Sequence, residues 1–154
     1  MTYFKSLFFL KSIALYLKML FFLERILLPI LVLIMRIWMA KIFWFPGLLK
    51  ISSWESTISL FKDEYKVPVI PPELAAYFAT AFELICPILL VIGLASRIAT
   101  LPLLTMTAVI QFTYSDMVEH YYWGFLLSMI LFYGPGTLSL DHLIKRKWRC
   151  SNSK

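Results

Sequence analysis

Long apolar runs separated by short polar stretches dominate the pattern along this chain. About 20 apolar residues at 1.5 Å per residue cross a hydrocarbon layer of about 30 Å, so each run is read as a membrane-spanning helix. Pro46 and Gly47 are expected to end the first span. The last run is short, and we expect it either to recruit neighbouring loop residues or to end where the bilayer is thinned. The four predicted spans are Ile26–Phe45, Glu73–Leu94, Ile98–Tyr114 and Tyr121–Tyr133.

The N-terminal segment, residues 1–25, has apolar runs that are too short to span a membrane. Lys11, Lys18 and Arg25 interrupt it at intervals of seven, so they fall near one side of a helix. This pattern favours an uncleaved amphipathic helix in the cytoplasmic interface. A signal peptide is the alternative, although no small-x-small cleavage site follows.

The loops between the spans predict which side each one occupies. Residues 48–72 balance their charges and are expected outside the cytoplasm, with a short surface helix indicated by Trp54, Ile58 and Phe61. Arg97 lies in the short turn after the second span, where a cytoplasmic positive charge belongs.

The tail after Gly136 is also predicted to be cytoplasmic. Ser139 is expected to cap a short helix. Residues 26–144 form one membrane domain, and residues 145–154 form a basic tail. Both chain ends are therefore expected in the cytoplasm, and the basic residues that open the tail are Lys145, Arg146 and Lys147.

Composition supports an integral membrane protein. The chain of 154 residues is 60% hydrophobic, whereas soluble domains run at about 45–50%. The net charge of +6 is concentrated at the chain ends, which is typical of a membrane protein and argues against nucleic-acid binding. The predicted fold class is all-α: a four-helix transmembrane bundle with an amphipathic N-terminal helix and a short cytoplasmic C-terminal helix.

Two charged residues stand near the middle of predicted spans, and they are the main candidates for a site. Arg36 and Glu83 each lie about ten residues into a span, so an antiparallel arrangement would bring them to one depth. One interpretation is a buried ion pair that fixes helix register. The others are a polar pocket for an anionic or quinone-like ligand, and a proton-linked carboxylate.

Lys41 and Gln111 are further candidates for a buried polar site above that pair. Either could donate a hydrogen bond to a quinone carbonyl. The alternatives are a lysine that extends to the interface and an interhelical hydrogen bond from the glutamine.

The remaining chemistry-bearing residues predict no catalytic or metal site. Cys86 and Cys150 form no CxxC pair, and Cys86 is expected to be an apolar packing residue. His120 and His142 are expected at opposite ends of a span, which excludes a haem held by both in one chain. His120 with Asp116 and Glu119 fits no metal motif, so an exposed acidic loop is favoured.

Several motifs together resemble those of the DoxX family of small four-span membrane proteins. They include Arg36 followed by Gly47 and Lys50, the stretch VPVIPPELAAYFATAFEL, the hairpin ILLVIGLASRIATL, and GPGTLSLDHL. The resemblance covers roughly Leu27–Leu143. Ala40 departs from it, since a glycine is common there, and Pro46 interrupts the end of the first span.

The resemblance implies a multi-pass protein of the bacterial inner membrane, linked to quinone or thiol redox complexes. The function it favours is a redox-linked membrane subunit, at most accessory to an oxidoreductase. Such a subunit would have no intrinsic cofactor and would act through a bound quinone. The alternatives are a non-catalytic membrane partner or assembly factor and a small proton-coupled transporter. Expected partners are lipid and either another protein or further copies of the chain.

Overall fold

All regular elements in the described part of the chain are helical. The computed structural model describes residues 13–65, 70–113 and 116–151. Residues 1–12 of the predicted N-terminal amphipathic segment lie outside the described residues. The helices are α1 (Ile13–Ser52), α2 (Trp54–Ser59), α3 (Pro72–Ile92), α4 (Ser96–Thr113), α5 (Val118–Tyr133) and α6 (Leu140–Ser151).

Helix α1 is longer than the predicted first span at both ends. It is continuous over 40 residues, with a π-helical stretch at Leu23–Leu27 and regular α-helix over Leu28–Ser52. The prediction that Pro46 and Gly47 end this helix was wrong. A proline removes one backbone donor, but the flanking turns of α1 keep their hydrogen bonds. The helix ends where the Ser53 backbone leaves helical geometry.

Helices α1, α3, α4 and α5 pack side by side around one apolar core. Only three residues separate α3 from α4 and four separate α4 from α5, so these neighbours are antiparallel. Helix α1 packs mainly on α3, and α5 packs on α4 and also meets α1. The core takes side chains from all four helices: Met39 and Phe43, Cys86 and Leu90, Ala99 and Leu103, and Leu127 and Ile130.

The segment after α1 folds back over the N-terminal half of α3. Helix α2 continues as a π-helical stretch over Leu60–Tyr65, which confirms the predicted short helix. Its Phe61 is buried against Ala75 and Ala76. This segment therefore covers one end of the bundle instead of only lying along its surface.

Among the residues that the structure describes, two helices are long and apolar enough to cross a membrane: Ile13–Ser52 and Pro72–Ile92. Helices α4 and α5 are 18 and 16 residues long. Helix α5 begins three residues before the predicted fourth span, so this helix is longer than predicted. Large apolar side chains are exposed on all four packed helices, among them Ile98, Phe112, Phe125 and Phe132.

Helix α6 begins at the end of the bundle opposite α2, where the Asp141 N–H donates to Gly93 O at 3.0 Å. The backbone N–H of His142 donates to Ser139 Oγ at 3.2 Å, so the predicted cap is confirmed. Lys145, Arg146 and Lys147 are all exposed on this helix.

Candidate ligand site

Lys50 and Glu83 form an ion pair at the end of the bundle that α2 covers. Lys50 Nζ lies 2.5 Å from Glu83 Oε1 and 2.6 Å from Oε2. The side chains are 12% and 4% exposed, respectively. A carboxylate this buried is stable only with a compensating charge and hydrogen bonds, and Lys50 supplies both.

Close packing of α1 on α3 brings the pair together. A Cβ atom on Gly47 would lie 3.0 Å from Glu83 Cβ and 3.0 Å from Leu84 Cδ2. Glycine therefore lets the two helix backbones approach at this level. Lys50 follows Gly47 by three residues, which places it on the same side of α1, one turn nearer the helix end.

A cavity of about 330 Å³ opens beside the ion pair. Its volume lies at the lower end of the range for small-molecule sites, about 300–1,000 Å³. Lys50 and Glu83 are its charged groups, and the rest of the lining is mainly aromatic and aliphatic: Phe61, Tyr65, Ile70, Ala75, Phe78, Ala79, Phe82, Pro102, Thr105, Met106, Val109 and Ile110. The arrangement suits an apolar molecule with one polar end.

The cavity is reached from the outer surface of the bundle. Phe78 and Phe82 on its wall are 55% and 40% exposed, and their rings stack with centroids 6.4 Å apart. Thr105 on the facing helix α4 is also exposed. An apolar ligand could therefore enter sideways between α3 and α4.

The predicted pairing of Arg36 with Glu83 was wrong. Arg36 is fully buried and donates to four backbone carbonyl oxygens: Leu90 at 2.6 Å, Val91 at 2.6 Å, Pro135 at 2.9 Å and Leu138 at 2.8 Å. Leu90 is seven residues beyond Glu83, or about 10 Å along the helix. The prediction placed Arg36 about ten residues into a span that runs from Ile26 to Phe45, whereas α1 continues to Ser52. Lys50, and not Arg36, therefore lies level with Glu83.

Arg36 ties the end of α3 to the loop after α5. The turn at Gly93, φ 77°, leaves no space for a side chain, because a Cβ there would lie 2.5 Å from Arg36 Nη2. Asp141 strengthens the same junction: its Oδ1 accepts from the Ala95 N–H at 2.9 Å. The role of Arg36 in this structure is to join helix ends.

Gln111 belongs to a third polar cluster, between the end of α4 and the start of α5. Its Oε1 accepts from the Met117 N–H at 3.3 Å and lies 2.8 Å from His120 Nδ1, and its Nε2 donates to Asp116. His120 is buried and its ring meets that of Trp123 edge-on at 4.9 Å. The prediction that His120 sits in an exposed acidic loop was therefore wrong.

Lys41 is not buried, contrary to its placement in a buried site. It is exposed on α1 and lines a separate groove between α1 and α3. Of the four residues predicted for one polar site, the structure places Glu83 in the cavity and the other three elsewhere.

The basic residues predicted for the cytoplasmic side gather at the Arg36 end. Arg97 Nη2 donates to Phe132 O at 3.2 Å, at the C-terminal end of α5, where a helix favours positive charge. Cys86 is buried as predicted. Within the described residues, no group of three His, Cys, Asp or Glu side chains could hold a metal ion.

The sequence model of the DoxX family matches residues 31–116, which is more than half of the chain. The chain belongs to the DoxX family. Comparisons with curated proteins and with solved structures gave no significant match. DoxX membership and the two apolar helices point to a membrane protein whose exposed side chains contact lipid.

The region shared with the DoxX family runs from α1 to just before α5. It includes Arg36, Lys50, Glu83 and Gln111, whereas the loop GPGTLSLDHL lies beyond it. Sequence reasoning missed Lys50 as the partner of Glu83 because it assigned Lys50 to a loop. One signal could have found it, since Lys50 continues the buried stripe Val32, Arg36, Phe43 and Gly47 at steps of three, four and seven residues.

Proposed function

We propose that this DoxX protein is a redox-linked subunit of the bacterial inner membrane that binds a quinone headgroup beside Lys50 and Glu83. The observation that carries the proposal is an apolar cavity with a single ion pair in its wall. A lysine ammonium has three N–H donors. The Glu83 carboxylate accepts hydrogen bonds from part of the Lys50 ammonium, and a remaining N–H of Lys50 could donate to a ring carbonyl of the quinone.

The lining and the access route both fit a quinone. Aromatic and aliphatic walls match a substituted ring, and the opening past Phe78 and Phe82 gives an isoprenoid tail direct access to lipid. Glu83 would hold the ammonium in place while the ring binds. The residues would therefore position the quinone, and electrons would come from a partner enzyme.

The proposal includes a topology. All four packed helices would cross the membrane, with both chain ends and Arg97 on the cytoplasmic side. The exposed cations of α6, including Lys145 and Arg146, support this orientation because basic residues concentrate on cytoplasmic segments.

The test is mass spectrometry of organic extracts from protein purified in mild detergent. We expect about one quinone per chain for the wild type. Lys50→Met and Glu83→Gln should each retain at least tenfold less. Lys41→Met is the matched control, since it makes the same change outside the cavity and should retain the wild-type amount. Equal retention by the wild type and Lys50→Met would refute binding at this cavity.

A membrane partner or assembly role is the second candidate, and helix α6 favours it. Leu143, Ile144 and Trp148 are exposed on this helix between basic residues. Such a helix can bind an anionic lipid surface or the cytoplasmic face of another protein. If the extracts contain bulk lipid alone, co-purification that is lost on deleting residues 140–154 would support this role.

A further inference from the structure

A second stripe of residues runs along the outer face of α1. Leu31, Ile34, Trp38, Lys41, Phe45 and Leu48 follow one another at alternating steps of three and four residues, and all six are exposed. This heptad spacing keeps one seam of a helix facing a packed neighbouring helix. Lipid would also accept the apolar members of this stripe. Lys41 is therefore the residue that distinguishes a face that packs against a helix from a face that only contacts lipid.

Lys41 lies near the middle of the part of α1 that packs in the bundle, which runs from Pro29, its first buried residue, to Ser52. It is eleven residues before Ser52, the end of the helix, which is about 16 Å along the axis. Pro29, buried near the other end of the bundle, is twelve residues away, or about 18 Å. Extension of a lysine side chain toward an interface relieves charges near helix ends but does not cover these distances.

The chain itself offers Lys41 no counter-charge. Lys41 makes no hydrogen bond or ion pair with any residue that the structure describes. The sequence has nine Asp and Glu residues, and two of them, Glu24 and Glu83, lie well inside the two apolar helices. Glu24 lies seventeen residues before Lys41 on α1, or about 26 Å along the axis. Because Glu83 is held by Lys50, a second copy of the chain could not supply a carboxylate without breaking that pair.

We propose that the outer face of α1 around Lys41 docks a membrane-spanning helix of a different protein, and that this helix carries a carboxylate at the depth of Lys41. Charged residues at such depth face a protein interior or a water-filled space and pair with one another. A single polar position in an apolar seam also fixes the register of the two helices.

The surface beside the seam has a shape that suits a helix. A groove of about 380 Å³ separates α1 from α3 and is lined by Lys41, Trp44 and Phe45 on one side and by Pro87 and Ile88 on the other. Side chains of the docked helix would fill this groove while its carboxylate meets Lys41. This inference is independent of quinone binding, because the groove and the Lys50 cavity are lined by different residues.

The test measures energy transfer between the full chain and a synthetic leucine-rich membrane helix in phosphatidylcholine vesicles. The probe helix carries one central glutamate, and a second probe carries glutamine there. The acceptor dye goes on Cys150, which is exposed, whereas Cys86 is buried. We expect the wild type to bind the glutamate probe at least tenfold more tightly than the glutamine probe.

Variants of the chain test whether the stripe around Lys41 accounts for the preference for the glutamate probe. Lys41→Leu should bind the glutamate probe at least tenfold more weakly, and Lys41→Arg should retain binding. A matched control moves the charge to another exposed helix face: Lys41→Leu combined with Leu101→Lys, on α4, should stay weak. The double variant Lys50→Met with Glu83→Met should bind the probe as the wild type does, even if it loses quinone.

Three outcomes would overturn the proposal. One is a wild type that does not prefer the glutamate probe. Another is equal binding by the variant with lysine at position 101, since any lysine in the membrane would then suffice. The last is self-association of the wild type that Lys41→Leu abolishes, because the occupant would then be a second copy.

Discussion

Removing one partner of the Lys50–Glu83 pair should destabilise the protein far more than removing both. Lys50→Met leaves a carboxylate that is 4% exposed without its cation, and breaking a buried pair in this way costs about 3–5 kcal/mol. Glu83→Met leaves Lys50, which is 12% exposed and lies two residues before the end of α1. It can regain some hydration, so we expect about 1–3 kcal/mol.

The double variant tests whether these losses come from the pair. With both charges replaced by methionine, the helices keep their volume and lose no partner. Such replacements are often neutral, so the double variant should lie within about 1 kcal/mol of the wild type, although the single losses together reach about 4–8 kcal/mol.

The assay is reversible unfolding in mixed detergent micelles, with free energies extrapolated to zero denaturant. Lys41→Met serves as the control for loss of a lysine and should change the free energy of unfolding little, because Lys41 has no partner among the described residues. If the double variant lost as much stability as the two single variants combined, Lys50 and Glu83 would not act as a pair. The account of the site would then be wrong.

Two further substitutions test the other polar clusters. Gly93→Ala should destabilise the protein by about 2–5 kcal/mol, because the residue has a positive φ and its new Cβ would lie 2.5 Å from Arg36 Nη2. The control Gly124→Ala should not destabilise it, since no atom lies within 4 Å of that Cβ. Equal losses of stability by the two variants in thermal unfolding would refute this prediction. Gln111→Leu removes the acceptor for His120 Nδ1 and should cost about 1–3 kcal/mol. Unchanged stability and hydrogen exchange at the start of α5 would contradict that assignment.

The helices were largely predictable from hydrophobicity, because a long apolar run has few alternatives to a helix in lipid. The predicted second span, Glu73–Leu94, and the observed helix Pro72–Ile92 nearly coincide. The error at Pro46 arose because a proline is a common helix end, yet a helix can continue through it when its neighbours hold both halves. Packing, not local propensity, decided that boundary.

The partners in the site were less predictable than the elements. Glu83 was identified from its depth alone, but its counter-charge depended on where α1 ends and on the close approach at Gly47. Arg36 was predicted to meet a carboxylate because opposite charges attract. Its guanidinium instead donates four hydrogen bonds to backbone carbonyls at the end of α3 and in the loop after α5, which a pattern of residue types does not encode.

The contacts of Arg36 have a consequence for the order of biosynthesis. Two of its acceptors, Pro135 and Leu138, lie about a hundred residues later in the chain. Since synthesis runs from the N-terminus, α1 meets the membrane before those carbonyls exist, and its guanidinium must be hydrated or held by the insertion machinery meanwhile. A nascent chain truncated before residue 135 should therefore leave α1 poorly retained in the bilayer. Synthesis of the loop after α5 would be the step that stabilises α1 in its final position.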